Sequence, residues 1–149
     1  MRISKATFVS VLASLVVITT GSARAYDFST PLTCAATVYG SGSAMWTWAD
    51  ASNGTGNRVV EEVGPVMING RAVPNHTPAT WTWSDDIPND WQLNGPVPKG
   101  SLTLVPVEDP TTRIIAFGAD KMTDNGDAVR AVLIHHGQVA GVGSCWAKT

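Results

Sequence analysis

Beyond residue 25, apolar and polar residues alternate along much of the chain, and glycine, proline, asparagine and aspartate interrupt the pattern at short intervals. The pattern is sharpest in two related segments. Residues 44–50 read Ala-Met-Trp-Thr-Trp-Ala-Asp and residues 79–85 read Ala-Thr-Trp-Thr-Trp-Ser-Asp, identical at five of seven positions. Successive side chains of a strand point to opposite faces, so each Trp-Thr-Trp places two indoles on one face. Both segments are predicted strands, and the fold is expected to be arranged about their aromatic face. The residues alternating with Trp81 and Trp83 are Thr80, Thr82 and Ser84, so the tryptophan side reads as core and the polar side as wet. An exposed aromatic shelf for a sugar or a protein is the other use of such a face.

The remaining punctuation gives more strands. Residues 33–39 end at Gly40-Ser41-Gly42, and residues 58–63 end at Gly64-Pro65. Asn69-Gly70 between two short apolar runs is a two-residue hairpin signal. Residues 101–107 alternate well, with Pro106 suggesting an edge strand. Residues 113–117, 129–134 and 138–146 complete the set, the last two joined through His135-His136-Gly137. Residues 120–127 hold a short helix or a turn. Residues 84–100 form a long loop with Pro88, Pro96, Pro98, Gly95 and Gly100, and Trp91 and Leu93 embedded among them. No 3.6-residue periodicity persists over a long window after residue 25. The expectation is an all-β domain, a small antiparallel sandwich or barrel of about eight short strands.

The first 25 residues carry a different pattern. Arg2 and Lys5 precede an uncharged run over residues 6–20, and Ala23-Arg24-Ala25 supplies a small-x-small cleavage pattern. Such a run is too short for an ordinary spanning helix, which needs about 20 residues. Residues 1–25 are therefore expected to be a removable secretory leader and residues 26–149 a single domain, secreted or periplasmic and soluble. The leader takes three of the ten Lys and Arg and none of the 12 acids, which leaves a net charge of −5. That argues against nucleic acid or an anionic membrane as partner, since both are bound through clustered cations. Cys34 and Cys145, the two cysteines, are expected to pair in an oxidising compartment and tie the first strand to the last.

The chemistry-bearing residues are few. His76, His135 and His136 are the histidines. Adjacent histidines in a strand diverge, and no metal-ligand spacing is present, so neither a metal nor another cofactor is expected. His76 with Asp85 or Asp86 is a candidate general-base pair. Glu61-Glu62, Asp85-Asp86 and Glu108-Asp109 are adjacent acids whose side chains diverge in a strand. The acid-rich turns at residues 50–57 and 120–127 lack calcium-loop spacing, and Asp and Asn enter turns by bonding their own backbone. Asn53 and Asn75 head two Asn-x-Thr glycosylation patterns.

Small size, high tryptophan content, acidic charge and the lack of a catalytic motif favour a non-catalytic exported binding protein. Its ligand would be a glycan or a partner protein, the latter bound in the manner of an inhibitor. Trp91, Asp90, Gln92 and Leu93 of the Pro-rich loop are the expected contact residues. One alternative is a small hydrolase using His76, Asp85, His135 and His136 in acid–base roles. Another is a small-molecule carrier with the four strand tryptophans lining a barrel interior, which requires a cavity of a few hundred Å³.

Overall fold

The computed structural model describes residues 26–52, 57–85, 97–122 and 127–147. Its strands are β1 (Leu32–Val38), β2 (Gly42–Asp50), β3 (Val59–Glu62), β4 (Met67–Ile68), β5 (Arg71–Ala72), β6 (Thr80–Ser84), β7 (Leu102–Pro106), β8 (Thr112–Ala116), β9 (Val129–His135) and β10 (Gln138–Ala147). Every pairing is antiparallel, and β1 pairs with both β10 and β2. Eight strands thereby close into a barrel in the order β1-β10-β9-β8-β7-β6-β3-β2. The β4–β5 hairpin hangs on β2 beside β3. Closure removes strand edges, so Pro106 does not mark one. It ends β7, paired with Trp81 of β6 and beyond the last β7–β8 pair at Leu104, where a missing N–H is tolerated.

Cys34 and Cys145 are directly opposed on the closing seam, with Cα atoms 4.0 Å apart, and form a disulfide. Both point inward and are fully buried. The interior is otherwise built by alternation. Leu32 and Cys34 on β1, Trp46 and Trp48 on β2, Val60 on β3, Trp81 and Trp83 on β6, Leu102 and Leu104 on β7, Ile114 on β8 and Leu133 on β9 share one core. Trp48 and Trp81 are buried, while Trp46 and Trp83 are half-buried and packed on that core, so the tryptophan faces are inside. The outward side is less wet than the alternation suggested. Thr82 is exposed, but Thr47 is buried and its hydroxyl meets that of Thr33 at 2.9 Å.

Large indoles entering from β2 and β6 need a thin wall opposite. Ala36, Ala116, Ala131, Gly141 and Gly143 supply it on β1, β8, β9 and β10. A Cβ on Gly143 would lie 1.8 Å from the Ala35 carbonyl oxygen, so only glycine lets β10 approach β1 this closely. Strands β8 and β9 are also buried on their outer face, where Ile115, Val132 and Ile134 form a second cluster with Phe117 and Val142.

The two barrel ends differ. Long connections leave from one, where Phe28 and Ala119 are buried as a plug and a 3₁₀ turn spans Ala119–Lys121. Of the expected helix or turn at residues 120–127, its later part lies outside the described residues. The other end carries the tight turns, including His136-Gly137; His135 itself closes β9, one residue later than expected. Among the described residues no helix is long and apolar enough to cross a membrane.

Two consequences can be measured by chemical denaturation of the oxidised protein. The double variant Cys34→Ala/Cys145→Ala opens a loop of sequence separation 111 and is expected to lose about 4–5 kcal/mol by the chain-entropy argument. Gly143→Ala is expected to lose about 2 kcal/mol or more through backbone displacement. An unchanged midpoint for Gly143→Ala would show that the β1–β10 seam is looser than drawn.

Candidate functional site

Strand β3 separates the two Trp-Thr-Trp strands, and its inward residues are Val60 and Glu62. Glu62 therefore enters the barrel among the indoles, opposite Trp48 in register, near the tight-turn end. Glu61 faces outward and is exposed, as alternation requires. A carboxylate buried this way needs donors on both oxygens. Trp81 donates its Nε1–H to Oε1 at 2.9 Å, and the Ala79 backbone N–H donates to Oε2 at 3.0 Å. His76 Nε2 lies 2.5 Å from the same Oε2, within hydrogen-bond distance. The Glu62 side chain is only 4% exposed and that of His76 is 31% exposed.

His76 arrives from the connection between β5 and β6. Pro74 and Pro78 bracket it, and Asn75 takes a positive φ of 56° that turns the chain back toward the mouth. Among the described residues, no backbone hydrogen bond joins residues 74–78 to the barrel. This short strap is held by Val73 N–H to the Val66 carbonyl at one end, Ala79 at the other, and the His76–Glu62 contact between.

The indoles around Glu62 form one group. Trp48 meets Trp81 edge-on at 5.0 Å between centroids, Trp46 stacks on Trp48 at 6.3 Å, and Trp46 lies 6.4 Å from Trp81. Trp46 sits one inward position nearer the mouth than Trp48. The Trp48 Nε1–H is buried with no acceptor, although Trp48 is opposite Glu62 in register. The two carboxylate oxygens are committed to Trp81, Ala79 and His76 instead.

The other expected residues are dispersed. Asp85 is not the partner of His76: it follows β6 at the long-connection end, while His76 precedes β6 at the other. Asp85 pairs with Arg58 at 2.5 Å, and the Arg58 guanidinium lies 4.9 Å from the Trp83 ring centroid. That hydrogen bond holds the Asp85 carboxyl below its ordinary value of 3.8, with desolvation acting in the opposite direction. Asp86 lies outside the described residues, as do Asp90, Trp91, Gln92 and Leu93 of the expected binding loop.

His135 and His136 are both exposed and come together, ring centroids 4.1 Å apart, because His136 takes a positive φ of 49° in the turn. Thr112 donates its hydroxyl to Asp109 at 2.6 Å, which leaves its oxygen to accept from His135 Nδ1 at 3.0 Å. Hydroxyl bonds from Thr111 and Thr112 hold the Asp109 carboxyl below its ordinary value. Asp27 with Ser29 and Asp50 with Ser52 repeat the same local turn geometry, which accounts for the acidic turn at Asp50 without an ion. Among the described residues no three His, Cys, Asp or Glu side chains converge as a metal site.

Glu62 is not among the site residues expected from the sequence, because adjacent acids that diverge in a strand do not form a carboxylate pair. The available signal was alternation: in a strand with Val60 inward, Glu62 must point inward too.

The hydrogen bonding separates the two buried indoles. Trp81→Phe strands a Glu62 acceptor, whereas Trp48→Phe removes a donor that has no partner. Trp81→Phe is therefore expected to cost about 1–2 kcal/mol more than Trp48→Phe by urea denaturation, the net worth of a bond to a charged group. Equal losses would mean the Trp81–Glu62 bond contributes nothing. For Asp85, a carboxyl lowered in the folded state stabilises the fold above the unfolded value and loses that contribution as pH falls through the folded value. Both partners are about half exposed, so Asp85→Asn is expected to cost under about 1 kcal/mol at pH 7. The deficit should shrink below about pH 4, checked by urea midpoints of both proteins across pH. Set beside known protein families, curated proteins and solved structures, the chain matches none.

Proposed function

We propose that this is an exported, non-catalytic binding protein that takes a partner protein at the tight-turn end of the barrel. One observation carries this reading. The large apolar side chains that stand exposed among the described residues, Tyr39, Val63, Ile68, Val107 and Val139, all belong to that end or to the hairpin beside it. Tyr39 and Val107 are the most open, at 59% and 55%. Scattered exposed apolar residues need no explanation, but their collection at one rim of a barrel marks an interaction surface. Tyr39 and Val139 are neighbours there, since Tyr39 N–H bonds the Ala140 carbonyl.

The chemistry of the rim favours a protein over a glycan. Sugar rings are gripped by flat aromatic platforms, and the exposed large apolar side chains at this rim are aliphatic except for Tyr39. Aliphatic contacts ringed by polar groups such as His135, His136, Asp109 and Arg71 suit a protein surface. The interior gives little support to a carrier: Trp48, Leu32, Leu102 and Leu104 are fully buried in the space a ligand would fill. The leader pattern and the formed disulfide support export.

A second reading rests on His76. A histidine held at 2.5 Å by a buried carboxylate, with its ring partly open, has the arrangement of an oriented general base. It would make the protein a small hydrolase with Glu62, rather than Asp85, as the orienting acid. No hydroxyl nucleophile bonds His76 among the described residues.

Photo-crosslinking distinguishes these. A photoreactive residue at Tyr39 or Val107 is expected to capture the same partner from the medium of the producing cells. The same probe at Thr82, exposed in mid-wall, should not, and Val63→Asp should weaken capture about tenfold without lowering Tm. Equal capture from Thr82, binding of a glycan that Val63→Asp leaves untouched, or ester hydrolysis lost in His76→Ala would each overturn the proposal. Concentration-dependent self-association abolished by Val63→Asp would make the partner a second copy of the chain.

A further inference from the structure

The least explained feature of the molecule is a buried carboxylate inside an aromatic core. Glu62 is four-hundredths exposed at its side chain, and the groups on it are two neutral N–H donors and one imidazole. Among the described residues no Lys or Arg pairs with it, and the Arg58–Asp85 ion pair is at the opposite end. An anion in such a place calls for a cation. His76 stands where a cation would sit, on a strap with no backbone bond to the barrel between residues 74 and 78 among the described residues. Trp81 is fixed by its own bond to Glu62, and the half-buried Trp46 lies 6.4 Å from Trp81 between ring centroids. Indole rings beside a carboxylate are the means by which proteins bind organic cations, through π-face attraction and a counter-charge.

We propose that Glu62, flanked by Trp46 and Trp81, forms a binding site for an organic cation of the guanidinium or alkylammonium class, with His76 as its resident occupant. The carboxylate has about four acceptor positions, of which Trp81, Ala79 and His76 use three. Two of those donors belong to β6 or the residue before it and stay in place when the strap lifts. The site then offers a carboxylate still oriented by Trp81 and Ala79, beside the indole group. A cation from solution and the side chain of His76 compete for the same oxygen, so entry of one releases the strap. The site requires no protein at the rim. Failure of the cation proposal and failure of the partner proposal are therefore separate results.

The test is methylguanidinium chloride, with butylammonium chloride as the second probe, titrated into the oxidised full chain against sodium chloride of equal ionic strength. Tryptophan emission and Tm are the readouts. His76→Ala, which removes the occupant, is expected to bind methylguanidinium about tenfold more tightly than wild type, and Glu62→Gln/His76→Ala is expected to lose binding. A His76→Ala protein that keeps its near-UV circular dichroism but ignores both cations overturns the proposal. So does equal binding by the double variant. A second pair of variants guards against misfolding of His76→Ala. His76→Lys carries its own ammonium and should keep Tm within a few degrees of wild type, while His76→Met, of similar length and uncharged, should not. Equal Tm values for Lys and Met would also overturn it.

Discussion

The contact between Trp48 and Trp81 across strand β3, 5.0 Å between ring centroids, is the one on which the interior depends. Two indoles of that size cannot share an eight-stranded barrel unless the facing wall is thin. The thin wall is Ala36, Ala116, Ala131, Gly141 and Gly143, and Gly143 lets two backbones approach more closely than any side chain permits. The disulfide occupies the same seam, joining β1 to β10 inside the barrel. Bulk on one side and its absence on the other are therefore a single packing solution. The covalent staple lies where the glycines would otherwise leave few side-chain contacts between the closing strands.

That arrangement also decides what Glu62 can be. On an open sheet a carboxylate opposite a tryptophan would turn to water. Inside the barrel its neighbours are indoles, and the cost of burial is offset by the Trp81 and Ala79 N–H groups and by His76. Trp48 is left with an unbonded indole N–H in the same core. Its lack of an acceptor is a consequence of the carboxylate facing Trp81 and the strap.

The two ends divide the molecule's chemistry. Phe28, packed on Trp83 and on Tyr26, plugs one end, with the Arg58 guanidinium 4.9 Å from the Trp83 ring centroid. The exposed aliphatic residues, the paired histidines and the His76 strap share the other. Tight turns present short, fixed side chains around a rim, which suits a preformed binding surface better than long connections do.

Period-two alternation set the strands in the sequence, and the Gly, Pro and Asn-Gly signals placed their limits to within a residue or two. The cysteines at the two extremes set the closing disulfide. These were legible because they rest on local geometry: which face a side chain takes, and where the backbone turns. The continuous apolar runs Ile114-Ile115-Ala116-Phe117 and Ala131-Val132-Leu133-Ile134 held a further signal, burial on both faces, that the structure realises. Closure into a barrel, the insertion of β3 between the two Trp-Thr-Trp strands, and the pairing of His76 with Glu62 rather than Asp85 were decided by tertiary structure alone. Each depends on which strands become neighbours. That choice follows from matching indole volume to glycine and alanine across the barrel, and no local pattern in either segment records it.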